Sequence, residues 1–329
     1  MQIVDSLNES QWGRIVYNSS FATFFQTPQC YQFYKDVPFL EAFVYGIENE
    51  GVLKGVVVGY VEKNGGSLKQ FFSRRAIVNG GPLLAEDITD EELIFFLSEV
   101  KKRLAKKAIY IETRNFNDYS RFKAAFVQTG FEYRQHLNFR IDTSSMDVVN
   151  ANLGKSRKRD IRTSFRDGAT VVSDPTFEQV KDYYSILKEL YATKVKTPLF
   201  PFTFFETLWH LKEAKIILVQ LNGKVIGGTV CVCLKGKAVY EWFACGEDGC
   251  YKNIYPSTLA TFSGIEYAAT NGYPLFDMMG AGRPDEGYGV RDFKSKFGGE
   301  LVEFGRFLCV TKPLLYKIGT LGVKLLKKF

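Results

Sequence analysis

The chain has 329 residues, 46% of them hydrophobic and 24% charged, which is too long for one ordinary core and enough for two domains of a soluble globular protein. Its net charge of +7 suits an anionic partner such as a phosphorylated metabolite, RNA or an acidic membrane, but is small enough to reflect only a solvated surface; histone-like binding is not implied. Six scattered cysteines, with Cys231 and Cys233 one residue apart, argue against a disulfide framework and for buried thiols in a reducing cytoplasm.

Residues Met1 to Trp12 contain neither a basic nor an apolar signal region, and no stretch approaches the length of a membrane-spanning helix. An aromatic helical segment is expected from Trp12 to Lys35. The run from Gly51 to Val61, GVLKGVVVGYV, reads as a glycine turn entering an apolar strand, and a further strand ends at Gly80-Gly81-Pro82. Thr89 followed by Asp90, Glu91 and Glu92 marks a helix start, and Leu93, Phe96, Leu97, Val100 and Leu104 give that helix its apolar stripe. A strand over Ile109 to Glu112, a helix ending near Gly130 and one strand over Tyr133 to Ile141 complete this half. A linker over Asp142 to Asn152 leads into GKSRKRDIRTSFRDG, residues 154–168, where six of 15 residues are Arg or Lys. Read as a helix, this segment puts Arg159 and Arg162 on one face.

The second half repeats the first. Gly51 and Gly223 open the same turn-and-strand pattern, Phe122 and Phe293 open the same Phe-Lys-x-x-Phe, and Thr27-Pro28 recurs as Thr197-Pro198. All three pairs are separated by about 170 residues, the size of one domain. A helical segment over Phe177 to Leu211 matches Trp12 to Lys35. A helix in YPSTLATFSGIEYAATNGY, closed by Asn271-Gly272, matches the one starting at Thr89. The expected fold is a mixed α/β (α+β) pair of tandem domains, each a mostly antiparallel sheet flanked by helices. The boundaries read as 1–145, 146–310 and a basic amphipathic helix over 311–329.

Two histidines, His136 and His210, are too few for a His-based zinc site, and Cys231-x-Cys233 has no second ligand pair, so no metal is expected. The P-loop and Gly-x-Ser-x-Gly patterns are absent. The informative stretch is Gly280 to Glu300, GAGRPDEGYGVRDFKSKFGGE. A strand ending at Asp277 enters Gly280-Ala281-Gly282-Arg283, where glycine allows a sharp turn and close approach to a ligand. A short helix follows, with Val290, Phe293 and Phe297 as its buried stripe and Lys294 at the stripe's edge. Lys294, pinned between two phenylalanines, either holds a phosphate or oxyanion or only lays its methylenes over the core.

The segments FATFFQTPQCYQFYKD, LGKSRKRDIRTSFRDGATV, NGKVIGGTVCVCLKGKAVYEW, FDMMGAGRP and YGVRDFKSKFGGELVEFGRF resemble the Fem family of peptidoglycan-bridge aminoacyltransferases and the broader FemAB-like acyltransferases. The resemblance runs from about Trp12 to Leu308. It implies two GNAT-like domains and amide formation, with aminoacyl-tRNA or acyl-CoA as donor co-substrate and no tightly bound cofactor. The implied acceptor is a UDP- or lipid-linked muropeptide-like amine. It places the family's motif lysine on Lys294, beside Phe293; from the stretch itself, Asp277 or Asp285 is the candidate base, and Asp277 reads equally as closing the strand end. Gly280, Gly282, Arg283, Arg291, Lys35, Arg159 and Arg162 are then the substrate-binding candidates, and the last two read equally as a solvated basic face. The loop CGEDGCYKNIYPSTL lacks the usual CoA-binding pattern and carries Glu247 and Asp248, so CoA in its usual mode is disfavoured.

The C-terminal KPLLYKIGTLGVKLLKKF aligns Leu314, Ile318, Leu321 and Leu325 on one helical face, with five lysines between Lys312 and Lys328. Such a helix either contacts an anionic membrane through 312–329 or docks on its own domain. The reading is a cytoplasmic acyltransferase acting on a cell-envelope precursor, in which Lys294→Ala abolishes turnover without lowering the melting temperature. The alternatives are thioester-dependent N-acylation in exopolysaccharide or lipid synthesis, and a non-catalytic RNA- or membrane-binding module.

Overall fold

The computed structural model describes residues 1–63 and 74–326. They form two compact units, and neither is a continuous segment. Met1–His136 and Glu303–Phe329 make the first, and Leu137–Val302 makes the second. The contiguous segments 1–145 and 146–310 are therefore not the compact bodies of the fold.

In the first unit the strand order is Gln2–Val4, Leu40–Asn49, Val52–Glu62, Arg75–Gly80, Tyr110–Asn115, Arg306–Val310 and Glu132–Arg134, with Leu83–Leu84 beside Val52–Glu62. The hairpin Leu40–Asn49/Val52–Glu62 turns on Glu50 and Gly51, both in the left-handed region at φ 51° and 76°. Such a turn matches the twist of the flanking strands. The helix Asp90–Leu104 crosses over between the parallel strands Arg75–Gly80 and Tyr110–Asn115. Its start is a reciprocal box: Glu92 N–H donates to Thr89 Oγ1 at 3.2 Å, and Thr89 N–H donates to Glu92 Oε2 at 2.8 Å. Leu93, Phe96, Leu97, Val100 and Leu104 are buried, as the apolar stripe requires. The Phe126 and Phe307 rings stack in the same core with centroids 3.9 Å apart.

The second unit repeats these devices. Its order is Glu300–Glu303, Leu137–Asp142, Leu275–Asp277, Ala238–Gly246, Lys224–Leu234, Ala214–Leu221 and Ala169–Val172. The hairpin Ala214–Leu221/Lys224–Leu234 turns on Asn222 and Gly223 at φ 50° and 80°, again left-handed at both positions. The helix Pro256–Thr270 crosses over between the parallel strands Ala238–Gly246 and Leu275–Asp277.

Three expectations change. The single strand read over Tyr133–Ile141 is two strands, Glu132–Arg134 and Leu137–Asp142, and they belong to different sheets. Arg306–Val310 enters the first sheet between Tyr110–Asn115 and Glu132–Arg134, antiparallel to both. The chain thus exchanges one strand in each direction, which a linear repeat does not reveal. The linker read over Asp142 to Asn152 contains a helix, Met146–Asn152, anchored by buried Val149. Among the described residues no helix is long and apolar enough to cross a membrane. The basic C-terminal segment forms the helix Pro313–Leu326, and residues 327–329 of that expectation lie outside the described residues.

Candidate active site

Every group in this site belongs to the second unit. Leu275–Asp277 pairs with Leu137–Asp142 on one side and Ala238–Gly246 on the other, so Asp277 is wholly buried. Its Oδ1 accepts from Asn138 Nδ2 at 2.8 Å and from the Met279 N–H at 2.8 Å, while Oδ2 has no partner. Asn138 Oδ1 in turn accepts from the Gly280 N–H at 2.7 Å. These two side chains bend the backbone sharply: Met279, Gly280 and Gly282 have φ of 53°, 119° and 77°. A methionine in the left-handed region costs roughly 1–2 kcal/mol, which its bonded surroundings offset.

The carbonyls of this turn are taken by cations of the following helix, Gly289–Ser295. Lys294 Nζ donates to the carbonyls of Met278 and, at 2.8 Å, Gly280. Arg291 donates through Nε to the Ala281 carbonyl at 2.9 Å and through Nη2 to the carbonyl of Arg283. Two of the three Lys294 N–H groups are thus committed to the backbone. Removing Lys294 will therefore cost stability as well as any chemistry, contrary to the expectation from sequence.

The helix is held from below by the phenylalanines of the motif. Phe297 is buried, Phe293 is partly buried, and their rings meet edge to face at 5.3 Å. Val290, expected in the same buried stripe, is instead 41% exposed. Arg157, on the helix Lys155–Arg166, was not anticipated. It is buried with its guanidinium 4.4 Å from the Phe293 ring centroid and 5.1 Å from that of Phe297. It also donates to the Phe293 carbonyl at 3.3 Å and pairs with Asp160 at 3.4 Å. This is a cation–π clamp on the motif, combined with a cation at the end of a helix.

Glu241 was also missed, although a glutamate inside the apolar run AVYEWFACG is a visible signal. It is buried, lies opposite Cys231 at a register shift, and accepts from Thr229 Oγ1 at 3.4 Å. Burial pushes the Glu241 pKa up, and the charge of Lys294 opposes this. Burial likewise pushes Asp277 up, against the hydrogen bonds from Asn138 and Met279 and the charges of Arg140 and Lys294. The Lys294 ammonium is pulled down by burial, and Glu241 and Asp277 hold it up. The result is one lysine flanked electrostatically by two buried carboxyls.

The other candidates are dispersed. Arg283 is exposed and forks onto Asp285 at 3.0 and 2.6 Å. Arg159 and Arg162 are exposed, and Arg159 pairs with Asp160 at 3.1 Å. Lys35 is exposed in the first unit, its ammonium 5.6 Å from the Tyr31 ring centroid. Among the described residues no group of three or more His, Cys, Asp or Glu is placed to hold a metal. At the start of the helix Pro256–Thr270, Asp248 Oδ1 accepts from the Ser257 N–H at 3.1 Å. A Cβ at Gly246 would lie 2.4 Å from that same nitrogen, so glycine is what lets the helix start approach the strand end. The anion position of this helix dipole already holds a carboxylate of the chain itself.

Residues 206–324 match the FemAB family, a span that includes the whole Asp277–Phe297 arrangement and Glu241. That part of the chain is thus FemAB-like, and the chain as a whole has the fold of FemX and of a tandem GNAT protein. No curated protein sequence matches it. Among solved structures, FemX superposes with a TM-score of 0.73 at 13% identity, covering 97% of this chain and 99% of its own. A tandem GNAT protein from the clavulanic acid biosynthesis pathway gives 0.61 at 10% identity, covering 94% and 98%. L-PGS from Bacillus licheniformis gives 0.57 at 13% identity, covering 100% and 99%. The chain therefore has the tandem mixed α/β architecture expected from its internal repeat.

Proposed function

We propose that this FemAB-like protein is a cytoplasmic acyltransferase that moves an acyl or aminoacyl group onto a primary amine of a peptidoglycan-type precursor. The observation that carries this reading is Lys294, a part-buried ammonium fixed to a glycine turn by two carbonyls, with one N–H left to give. The family match over residues 206–324 supports it, because that span contains the turn, the helix and the phenylalanine motif.

In this reading the acceptor amine attacks the carbonyl carbon of the donor ester or thioester. A C–N bond forms, the remaining Lys294 N–H stabilises the oxyanion, and the C–O or C–S bond then breaks. The amine's proton leaves with the departing group. Asp277 is a positioning residue, since its buried carboxyl holds the Met279 N–H and acts through the turn. Gly280, Gly282, Phe293 and Arg291 shape the same turn, while Arg283, Lys35, Arg159 and Arg162 are cations for a diphosphate-bearing acceptor or for tRNA. No tightly bound cofactor is needed.

Asp248 at the start of the Pro256–Thr270 helix favours an aminoacyl-tRNA donor over acyl-CoA, because its carboxylate repels a diphosphate at that position. The test incubates the purified protein with a UDP-linked muropeptide and either aminoacyl-tRNA or acyl-CoA, following new amide by mass spectrometry. Amide formation from aminoacyl-tRNA that Lys294→Met loses supports the reading. Amide from acyl-CoA alone moves the protein to thioester-dependent N-acylation, and no amide from either donor overturns the assignment.

A further inference from the structure

The helix Pro313–Leu326 belongs to the first unit and is fixed there by its start and one face. The Thr311 and Lys312 N–H groups both donate to the Ile109 carbonyl, at 2.9 and 3.0 Å, and Thr311 Oγ1 donates to the Ala108 carbonyl at 2.6 Å. Tyr316 packs edge to face on Tyr110 at 5.4 Å, and Arg134 Nη1 donates to its hydroxyl at 3.2 Å. Leu314 and Ile318 lie two residues to either side of Tyr316, about 200° round the helix, and so point away from the sheet. They are 78% and 55% exposed, the two exposed large hydrophobic residues of this helix among those with described side chains. Lys317 is exposed beside them.

The charge of this segment is one-sided. From Phe304 to Phe329 the sequence contains Arg306 and lysines 312, 317, 324, 327 and 328, and no Asp or Glu. We propose that the outward face of this helix, Leu314 and Ile318 with Lys317 beside them, rests on an anionic lipid surface. The cations then meet lipid headgroups while the two aliphatic side chains enter the boundary of the acyl region. A helix of 14 residues cannot span a bilayer but suits its interface. Pairing with a second copy of the chain through this face would bring two acid-free cationic segments together, which charge repulsion opposes. The placement goes beyond the proposed reaction, because it holds for any donor or acceptor.

The test is cosedimentation of the full-length protein with extruded vesicles of about three parts phosphatidylcholine to one of phosphatidylglycerol, beside vesicles of phosphatidylcholine alone. The protein is expected to pellet with the anionic vesicles, at least about tenfold more than with the neutral ones, and to be released by salt. Leu314→Glu/Ile318→Glu should lose this binding with an unchanged circular dichroism spectrum. Val127→Glu, which places one new charge on a 55%-exposed residue of another helix, should retain it. Equal pelleting of the wild type and the double variant overturns the proposal, as does loss of binding by Val127→Glu to the same extent. Failure of the wild type to bind either vesicle overturns it too. So does a concentration-dependent dimer in sedimentation velocity that the double variant abolishes, which would assign the face to a second copy. Vesicle binding is independent of amide formation, so failure here leaves the catalytic reading to its own experiment.

Discussion

The two units use one motif in two ways. In the first, Phe122 and Phe126 are buried, while Lys123 is exposed with its ammonium 4.4 Å from the Tyr133 ring centroid. In the second, Phe293 and Phe297 face the core and Lys294 turns back onto the carbonyls of Met278 and Gly280. The difference lies in what precedes the motif. A short connection, Phe116 to Tyr119, joins strand and helical segment in the first unit, with Asp118 accepting from the Ser120 N–H at 2.8 Å. The longer glycine-rich connection of the second presents a row of carbonyls that need donors. Two phenylalanines are enough to anchor such a helix, and the lysine becomes a functional candidate only where a turn is built to receive it.

The largest effect expected from breaking this comparison is on turnover. Lys294→Met should lower the amide-forming rate by at least about 100-fold, the usual cost of a lost oxyanion donor, while Lys123→Met should leave it within about twofold. Lys294→Met should also lower stability by about 1–3 kcal/mol in urea unfolding, because two charged hydrogen bonds are lost. An inactive Lys123→Met, or a fully active Lys294→Met, would dissolve the distinction between the units. With burial pulling the Lys294 pKa down, the ammonium needed for catalysis deprotonates earlier than an ordinary lysine. The alkaline limb of the pH–rate profile should therefore fall below the ordinary lysine value of about 10.4.

Core truncation comes next. Phe126→Ala and Phe297→Ala should each destabilise by about 3–5 kcal/mol, since both leave cavities under a short helix. If both variants keep soluble folds, only Phe297→Ala should also lower turnover.

A smaller effect separates the units by acid. In the first, Glu112 lies between Arg114 and Arg306 at 2.9 and 3.3 Å. Burial raises its pKa, but the two guanidiniums prevail and bring it down to about 2. A depressed carboxylate contributes stability above its unfolded pKa and loses it as pH falls through the folded value. Between about pH 4.5 and 2 the wild type should lose on the order of 2–3 kcal/mol that Glu112→Gln does not lose. Parallel acid-unfolding slopes for the two proteins would contradict this. The smallest effect concerns Asp248→Ala, which should cost about 1 kcal/mol as a lost helix cap and, by removing the carboxylate, weaken discrimination against acyl-CoA in a competition assay.

Much of this was legible in the sequence. The repeat, the two left-handed hairpin turns and the Thr89 capping box are local patterns, and the structure keeps them because short-range geometry decides them. Lys294 stood out as a candidate for the same reason, since its motif and its turn are neighbours in the chain. Arg157 was hidden because its partners, Phe293 and Phe297, lie far away in sequence; Glu241 showed as a lone carboxylate in an apolar strand, but not its coupling to Lys294, which only the tertiary fold creates. Val290 misled because helical periodicity assumes a packed neighbour along the whole helix. The exchange of Leu137–Asp142 and Arg306–Val310 was invisible, because either strand has the pattern to pair in either sheet.

That exchange has a consequence for synthesis. Arg306–Val310 lies between two strands made some 170 to 200 residues earlier, so the first sheet cannot close while the ribosome is still translating the second unit. The nascent chain must carry an open gap beside Tyr110–Asn115 until Arg306–Val310 emerges. The N-terminal unit, begun first, is therefore finished after the second, and a message truncated just before codon 306 leaves the first sheet without its strand between Tyr110–Asn115 and Glu132–Arg134, although every strand of the second sheet has been made.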